Sequence, residues 1–150
     1  MQVETTKTEI TFKVAELDDL PIVLTFVEQY NDGIKIDPTR VKNSLRELVL
    51  ISGIFLIFNE DKVIGGIGGY VAPSLLTDDL VFNVMFFYVV PESRRWTKRI
   101  ILEMELILLP TKATMIVYGI PAAGRMPALY RFFRMMKYEP IETHVGRRLS

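Results

Sequence analysis

The sequence predicts an α/β (α+β) fold: a mixed, mostly antiparallel central sheet with one parallel β-α-β crossover and helices on both faces. Three observations predict it. Two aspartate-led helix starts, Asp18-Asp19-Leu20-Pro21 and Asp37-Pro38, lie in the first third of the chain. A polar turn, Asn59-Glu60-Asp61-Lys62, separates two strand-like runs, as in a hairpin. From Val81 to Ile120 an apolar strand, a helix and a second apolar strand follow one another, the order of a parallel crossover. The chain has 150 residues, 49% of them hydrophobic, which suffices for one domain, 1–150, with a substantial core.

Each element has a local reason. Thr8–Val14 alternates as a first strand. Asp18 and Asp19 supply a helix cap and Pro21 sits in the first turn, where its missing N–H costs nothing. Leu20, Val23, Leu24 and Val27 follow at helical spacing, and the helix runs out near Tyr30-Asn31-Asp32-Gly33. Asp37-Pro38 repeats the start, and Val41, Leu45 and Leu48 mark the buried stripe of a second helix to about Ser52. Ile54–Phe58 and Val63–Val71 form the hairpin, and Pro73 to Asp79 is a loop. Val81–Val90 is the most apolar strand, which predicts burial on both faces. A helix from Ser93 to Leu109 buries Ile100, Ile101, Met104, Ile107 and Leu108 and stops at Pro110. Met115–Ile120 is a buried strand, Pro127–Met136 a helix, and Tyr138–Thr143 with Val145–Leu149 a closing antiparallel pair.

Composition excludes several function classes. Without cysteine there are no disulfides, thiolate nucleophiles or cysteine-bound metals, and one histidine rules out a multi-histidine site. Eighteen basic and eighteen acidic residues argue against a uniformly basic coat, so no nucleic-acid partner is expected. The balance is uneven, however. Residues 1–93 hold 14 acids and 7 bases, and residues 94–150 hold 4 acids and 11 bases, with the break at Glu92-Ser93-Arg94-Arg95. The N-terminal residues do not read as a signal peptide and no apolar run is long enough to span a bilayer, so no membrane partner and a cytoplasmic location are expected.

Several fragments in this order carry a family resemblance. Phe87-Tyr88-Val89-Val90-Pro91-Glu92-Ser93-Arg94, Gly65-Gly66 after Val63-Ile64, and Ala128-Leu129-Tyr130 followed by Lys137-Tyr138-Glu139-Pro140 resemble motifs of the GNAT (GCN5-related N-acetyltransferase) superfamily. The resemblance covers essentially the whole chain. It implies a GNAT-like sheet, acetyl-CoA as cofactor and transfer to an amine-bearing acceptor. In the family the central strand and the next parallel strand splay apart and the pantetheine chain fits the gap. By resemblance, backbone groups of Phe87, Tyr88 and Val89 meet the cofactor, and the turn after the strand receives pyrophosphate on N–H groups at a helix N-terminus.

The sequence departs from the family at that turn. Arg94-Arg95-Trp96-Thr97-Lys98-Arg99 has no glycine, and Thr97 and Arg99 stand at the glycine positions. Either Arg94, Arg95, Lys98 and Arg99 replace N–H groups with charge, or Arg99 blocks the site and the cofactor is lost. The family's general acid, a tyrosine in the last helix, falls on Tyr130 in one register and on Phe133 in the other. The glycine before Tyr138 is replaced by Lys137.

Other candidates have plainer readings. Gly65–Gly69 lacks the strand–loop–helix context of a nucleotide loop and reads as bulges and close backbone packing, or as the wall of an acceptor groove. Asp78 and Asp79 precede the central strand, and Asp79 is the candidate base toward an amine, against a solvated or turn-capping role. His144 reads as a turn residue, and Arg131 and Arg134 share a helix face. Met135-Met136 and Phe132-Phe133 read as helix core or partner surface.

Two functions follow from the resemblance. One is an acetyl-CoA-dependent N-acyltransferase acting on a small molecule or protein. The other is a catalytically inactive GNAT-fold binding or structural protein, for which a mean hydropathy of +0.24 suits a homo-oligomer or protein interface. Small acetyltransferase-like proteins with this turn also resemble ones encoded by bacteriophages. That implies host cytoplasm or virion as location, and a virion component or a protein acting on a host target.

Overall fold

A computed structural model describes residues 9–31, 34–119, 126–141 and 147. Met1–Gly119 is one compact unit and Ile120–Ser150 a second. The first contains β1 (Ile10–Val14), α1 (Leu20–Tyr30), α2 (Pro38–Leu50), β2 (Ile54–Asn59), β3 (Lys62–Pro73), β4 (Leu80–Val89), α3 (Thr97–Leu108) and β5 (Met115–Tyr118); the second contains α4 (Met126–Met135).

The strands form one sheet in the order β1-β2-β3-β4-β5. The first four are antiparallel to their neighbours, and β4 and β5 are parallel, as the crossover predicts. The sheet is covered on both faces. On one, Val23, Phe26 and Val27 of α1 and Leu45 and Val49 of α2 bury against Ile54, Leu56 and Phe86. On the other, Ile100 closes over Ile10, Ile57, Ile64 and Val89, while Met104 and Leu108 sit on Ile67, Phe82 and Val84. The period of two along the strands sends alternate side chains to these two cores.

The two helix starts use different chemistry. At α2 the Asp37 carboxylate accepts the N–H groups of Thr39 (3.1 Å) and Arg40 (3.3 Å), with Pro38 in the first turn. At α1 the cap expected from Asp18 and Asp19 is replaced by a 3-10 turn, Leu17–Asp19. The Asp19 carboxylate reaches backward to accept the Glu16 N–H at 2.8 Å, because Asp19 itself is already in a helical conformation.

β4 is buried at Val81, Phe82, Val84, Phe86 and Val89, but Met85 is 56% exposed, which corrects the expectation of burial throughout. Gly68 pairs with Phe86 and Gly69 with Val84, so Met85 is the extra residue of a bulge. Glycine is required beside it: a Cβ on Gly69 would run into the Asn83 carbonyl oxygen.

The helix expected over Ser93–Leu109 has three parts. Pro91–Trp96 is a 3-10 turn, Thr97–Leu108 is α-helical, and Leu109–Thr111 is a second 3-10 turn around Pro110.

In the second unit α4 ends on a Schellman cap. Tyr138 N–H donates to Phe133 C=O (2.9 Å) and Lys137 N–H to Arg134 C=O (3.0 Å), with the Phe133 and Tyr138 rings edge-on at 5.3 Å. Lys137 takes φ 66°, the left-handed geometry that glycine adopts freely, which explains why the family's motif has glycine there. The strand expected over Tyr138–Thr143 is absent over Tyr138–Ile141, where the cap has just turned the chain and Pro140 has no N–H to donate. Its remainder, and its partner Val145–Leu149 apart from Arg147, lie outside the described residues.

Candidate functional site

β5 runs beside β4 for only four pairs, Val81↔Met115 to Val84↔Tyr118. β4 continues to Val89, so Met85–Val89 has no strand on that side among the described residues. The register with β3 decides which backbone groups face the open side. Val90 N–H donates to Ile64 C=O at 2.8 Å. Antiparallel alternation then turns the N–H and C=O of Phe86 and Tyr88 toward β3, and those of Phe87 and Val89 away from it. Arg94 Nε donates to the Val89 carbonyl at 3.1 Å. Over Phe87–Val89 the groups left on the open side are the N–H and C=O of Phe87 and the N–H of Val89. Of the three positions expected to offer backbone groups, Tyr88 is corrected: its N–H faces β3. Its ring instead lies 5.7 Å from that of Phe26 and 5.7 Å from the Arg94 guanidinium. The Phe87 ring meets Tyr118 edge-on at 5.8 Å, at the point where β5 ends.

The strand runs into the Pro91–Trp96 turn. Two N–H groups there are used inward: Ser93 N–H donates to Val90 C=O and, just after the turn, Thr97 N–H donates to Arg94 C=O. Pro91 has none. Thr97 Oγ1 also donates to the Arg94 carbonyl (2.7 Å). The outward-facing N–H cradle that the resemblance implies is therefore not formed at Ser93 or Thr97. Side-chain cations remain. Arg94 is half-buried and tied to Val89, Arg95 is exposed and stacks on Trp96 (5.0 Å), Lys98 is exposed, and Arg99 is half-buried on the first turn of α3.

Asp79 sits at the opposite end of β4, roughly 26 Å from Phe87 at about 3.3 Å per residue. Its carboxylate accepts from Thr77 Oγ1 (2.7 Å) and Thr114 Oγ1 (3.0 Å). These bonds, Thr77 first, hold its pKa below the usual carboxylate value, which favours a turn anchor over a base. Tyr130 lies on α4 in the second unit, 45% exposed, whereas Phe133 is buried. Arg131 and Arg134 are exposed on the same helix, and His144 lies outside the described residues.

Two tyrosines escaped the sequence reading. Tyr118 closes β5, a position that the strand pattern marks; burial and then Glu105 raise its pKa. Tyr30 ends α1 and its hydroxyl donates to the Gly119 carbonyl at 2.7 Å, tying that helix to the end of β5. No local pattern announces a contact across 89 residues. Burial pushes the Tyr30 pKa to about 12. The folded state therefore keeps this proton where the unfolded chain has released it. Its contribution is complete below pH 10 and is lost as pH rises to about 12, by roughly 1.4 kcal/mol per pH unit. Urea unfolding between pH 9 and pH 12 (about the Tyr range) should show this fall, with a shallower slope in Tyr30→Phe; an equal slope in the variant would refute the assignment.

Among the described residues no three or more His, Asp or Glu side chains gather as a metal site, and no helix is long and apolar enough to cross a membrane.

No protein-family model matches the sequence, and neither does any curated protein. Solved structures do match by shape. A GCN5-related N-acetyltransferase from Ralstonia eutropha JMP134 superposes with a TM-score of 0.73 at 14% identity, over 95% of this chain and 100% of that one. The Brucella melitensis biovar Abortus 2308 ribosomal-protein-alanine N-acetyltransferase gives 0.71 at 11% identity, over 95% and 100%. A possible acetyltransferase from Clostridium difficile 630 gives 0.69 at 16%, over 94% and 98%. The chain has the GNAT fold. The mixed, mostly antiparallel sheet expected from the sequence is present, with five strands, and it matches structures described as acetyltransferases. Within this GNAT fold the distinctive feature is the turn after β4, which carries cations and no glycine.

Proposed function

We propose that the protein is an acetyl-CoA-dependent N-acyltransferase that transfers directly to an amine of a small molecule or protein. One observation carries this reading: the open edge of β4 leads straight into a cation-bearing turn, in a fold shared with solved structures described as acetyltransferases. The residues suit the cofactor. Phe87 N–H and C=O and Val89 N–H are what an extended amide chain needs along a strand edge. Arg95 and Lys98, both exposed, can meet a pyrophosphate, with Thr97 and Arg99 beside them. Arg94 acts indirectly: it neutralises the Val89 carbonyl, which would otherwise repel an anion there. Acetyl-CoA, when bound, supplies an acyl group activated as a thioester. With acetyl-CoA bound, the open N–H groups would offer hydrogen bonds to its acyl oxygen. The resemblance would give Tyr130, on α4 of the second unit, the part of general acid toward a thiolate. Asp79 has no place in this scheme.

The inward use of the Ser93 and Thr97 N–H groups favours a second reading, a GNAT-fold binding or structural protein without catalysis. Calorimetry with acetyl-CoA separates the two. The enzyme reading expects micromolar binding. Arg95→Ala and Lys98→Ala should each weaken it about tenfold without lowering Tm. Tyr130→Phe should bind normally and lose turnover by about 10²-fold or more. No heat at millimolar acetyl-CoA would leave the non-catalytic reading.

A further inference from the structure

At the tip end of the β3–β4 hairpin, β3 reaches beyond β2, while β4 is flanked by β5. β2 pairs with β3 as far as Ile54↔Gly68, and Gly69 N–H donates to Gly53 C=O at 2.9 Å. From Tyr70 to Pro73, β3 is paired only with β4 among the described residues. The tip is a built turn. Ser74 N–H donates to Asp79 C=O (2.9 Å), and Ser74 Oγ accepts the N–H groups of Leu76 (3.2 Å) and Thr77 (3.3 Å). The Asp79 carboxylate is held by Thr77 and by Thr114 from the start of β5. This turn holds Leu75 and Leu76 out in water, at 96% and 89% exposure, beside the exposed Asp78. Two adjacent leucines held out by a hydrogen-bonded turn make an apolar tip with one acidic neighbour.

A complementary surface lies between the start of α1 and the middle of α2. A cavity of about 410 Å³ has an apolar wall of Leu17, Leu20 and Pro21, a rim of Lys42 and Arg46, and Asp18 as its remaining lining residue. Lys42 and Arg46 are one turn apart on α2, both exposed, and neither forms an ion pair among the described residues.

We propose that the Leu75-Leu76 tip docks in this cavity on a second copy of the chain, with Asp78 against Lys42 and Arg46. The charges are opposite in sign and the apolar parts match in kind. Tip and cavity are different surfaces, so the contact is heterologous and runs head to tail. Strand pairing along the free edge of β3 is a weaker alternative. The Ser74–Asp79 bond turns Tyr70 and Ala72 toward β4, and Pro73 has no N–H, which leaves Val71 as the donor on that edge. Asp78 beside the leucines also opposes insertion into an anionic bilayer. The contact is small, so the association is weak and is sensitive to concentration and salt.

Sedimentation velocity from micromolar to millimolar protein tests this, with thermal unfolding to confirm that each variant folds. Wild type should gain mass with concentration and lose it in high salt. Leu75→Ser/Leu76→Ser and Lys42→Glu/Arg46→Glu should each weaken self-association at least tenfold. An equimolar mixture of the two double variants should recover a one-to-one dimer, because the intact tip of one meets the intact cavity of the other. A wild type that stays monomeric, association that survives the serine substitutions, or a mixture that fails to recover would overturn the proposal. So would co-sedimentation with phosphatidylserine vesicles that depends on Leu75 and Leu76.

Discussion

Gly65→Ala should lower the stability of the fold by about 3 kcal/mol, although it adds a single methyl group. The added Cβ would collide with the carbonyl oxygen of Tyr88 and crowd the backbone at Val89. These are backbone atoms in a paired strand, so no side chain can rotate out of the way. The strands must part, and they must part where β4 offers its open backbone groups. The neighbouring Gly66→Ala is the internal control. Its nearest atom is Phe26 Cδ2 at 3.3 Å, the edge of a side chain, and the cost should stay below about 1 kcal/mol. Urea unfolding of both variants measures the contrast. Equal midpoints would mean that β3 and β4 do not approach as closely as described.

Ile100→Ala should cost about 2–5 kcal/mol, and Ile100→Val about 0.5–1.5 kcal/mol. Ile100 is fully buried on the first turn of α3, against Ile10, Ile57, Ile64 and Val89. It fastens the turn that carries Arg95 and Lys98 to the end of the strand that carries Phe87 and Val89. Truncation leaves a cavity at that joint, so under the proposed function acetyl-CoA affinity should fall along with stability. Leu102→Ala, on the same helix at 46% exposure, should change stability by no more than about 0.5 kcal/mol. If the two alanine variants unfold at the same urea concentration, Ile100 does not hold the joint.

Much of the fold was legible because its signals are local. Asp37-Pro38 starts α2 by a bond spanning two or three residues, and the α3 stripe of Ile100, Ile101, Met104 and Leu108 is a period that a short window reads. Gly65–Gly69 read as bulges and close backbone packing, and a bulge at Met85 lies opposite Gly68 and Gly69. The site was legible only in part. Counting cations after Glu92 suggested four equivalent charges, but Arg94 is spent on the Val89 carbonyl. The run Phe87-Tyr88-Val89 suggested three equivalent backbone positions, but the register turns the middle one toward β3. Asp79 looked poised for chemistry, and two threonines, one of them 35 residues away, hold it as an anchor.

By itself, then, the sequence determined most of the elements and their order, including the parallel crossover. Caps, prolines and apolar periods act within a few residues. Only the tertiary structure decided which groups are available to a ligand or a partner. It ended β5 at Tyr118, set the Phe87 and Val89 backbone groups on an open edge, and held Leu75 and Leu76 in solvent. The physical reason is that hydrogen-bond register and burial depend on what lies alongside, and here that neighbour comes from a distant part of the chain.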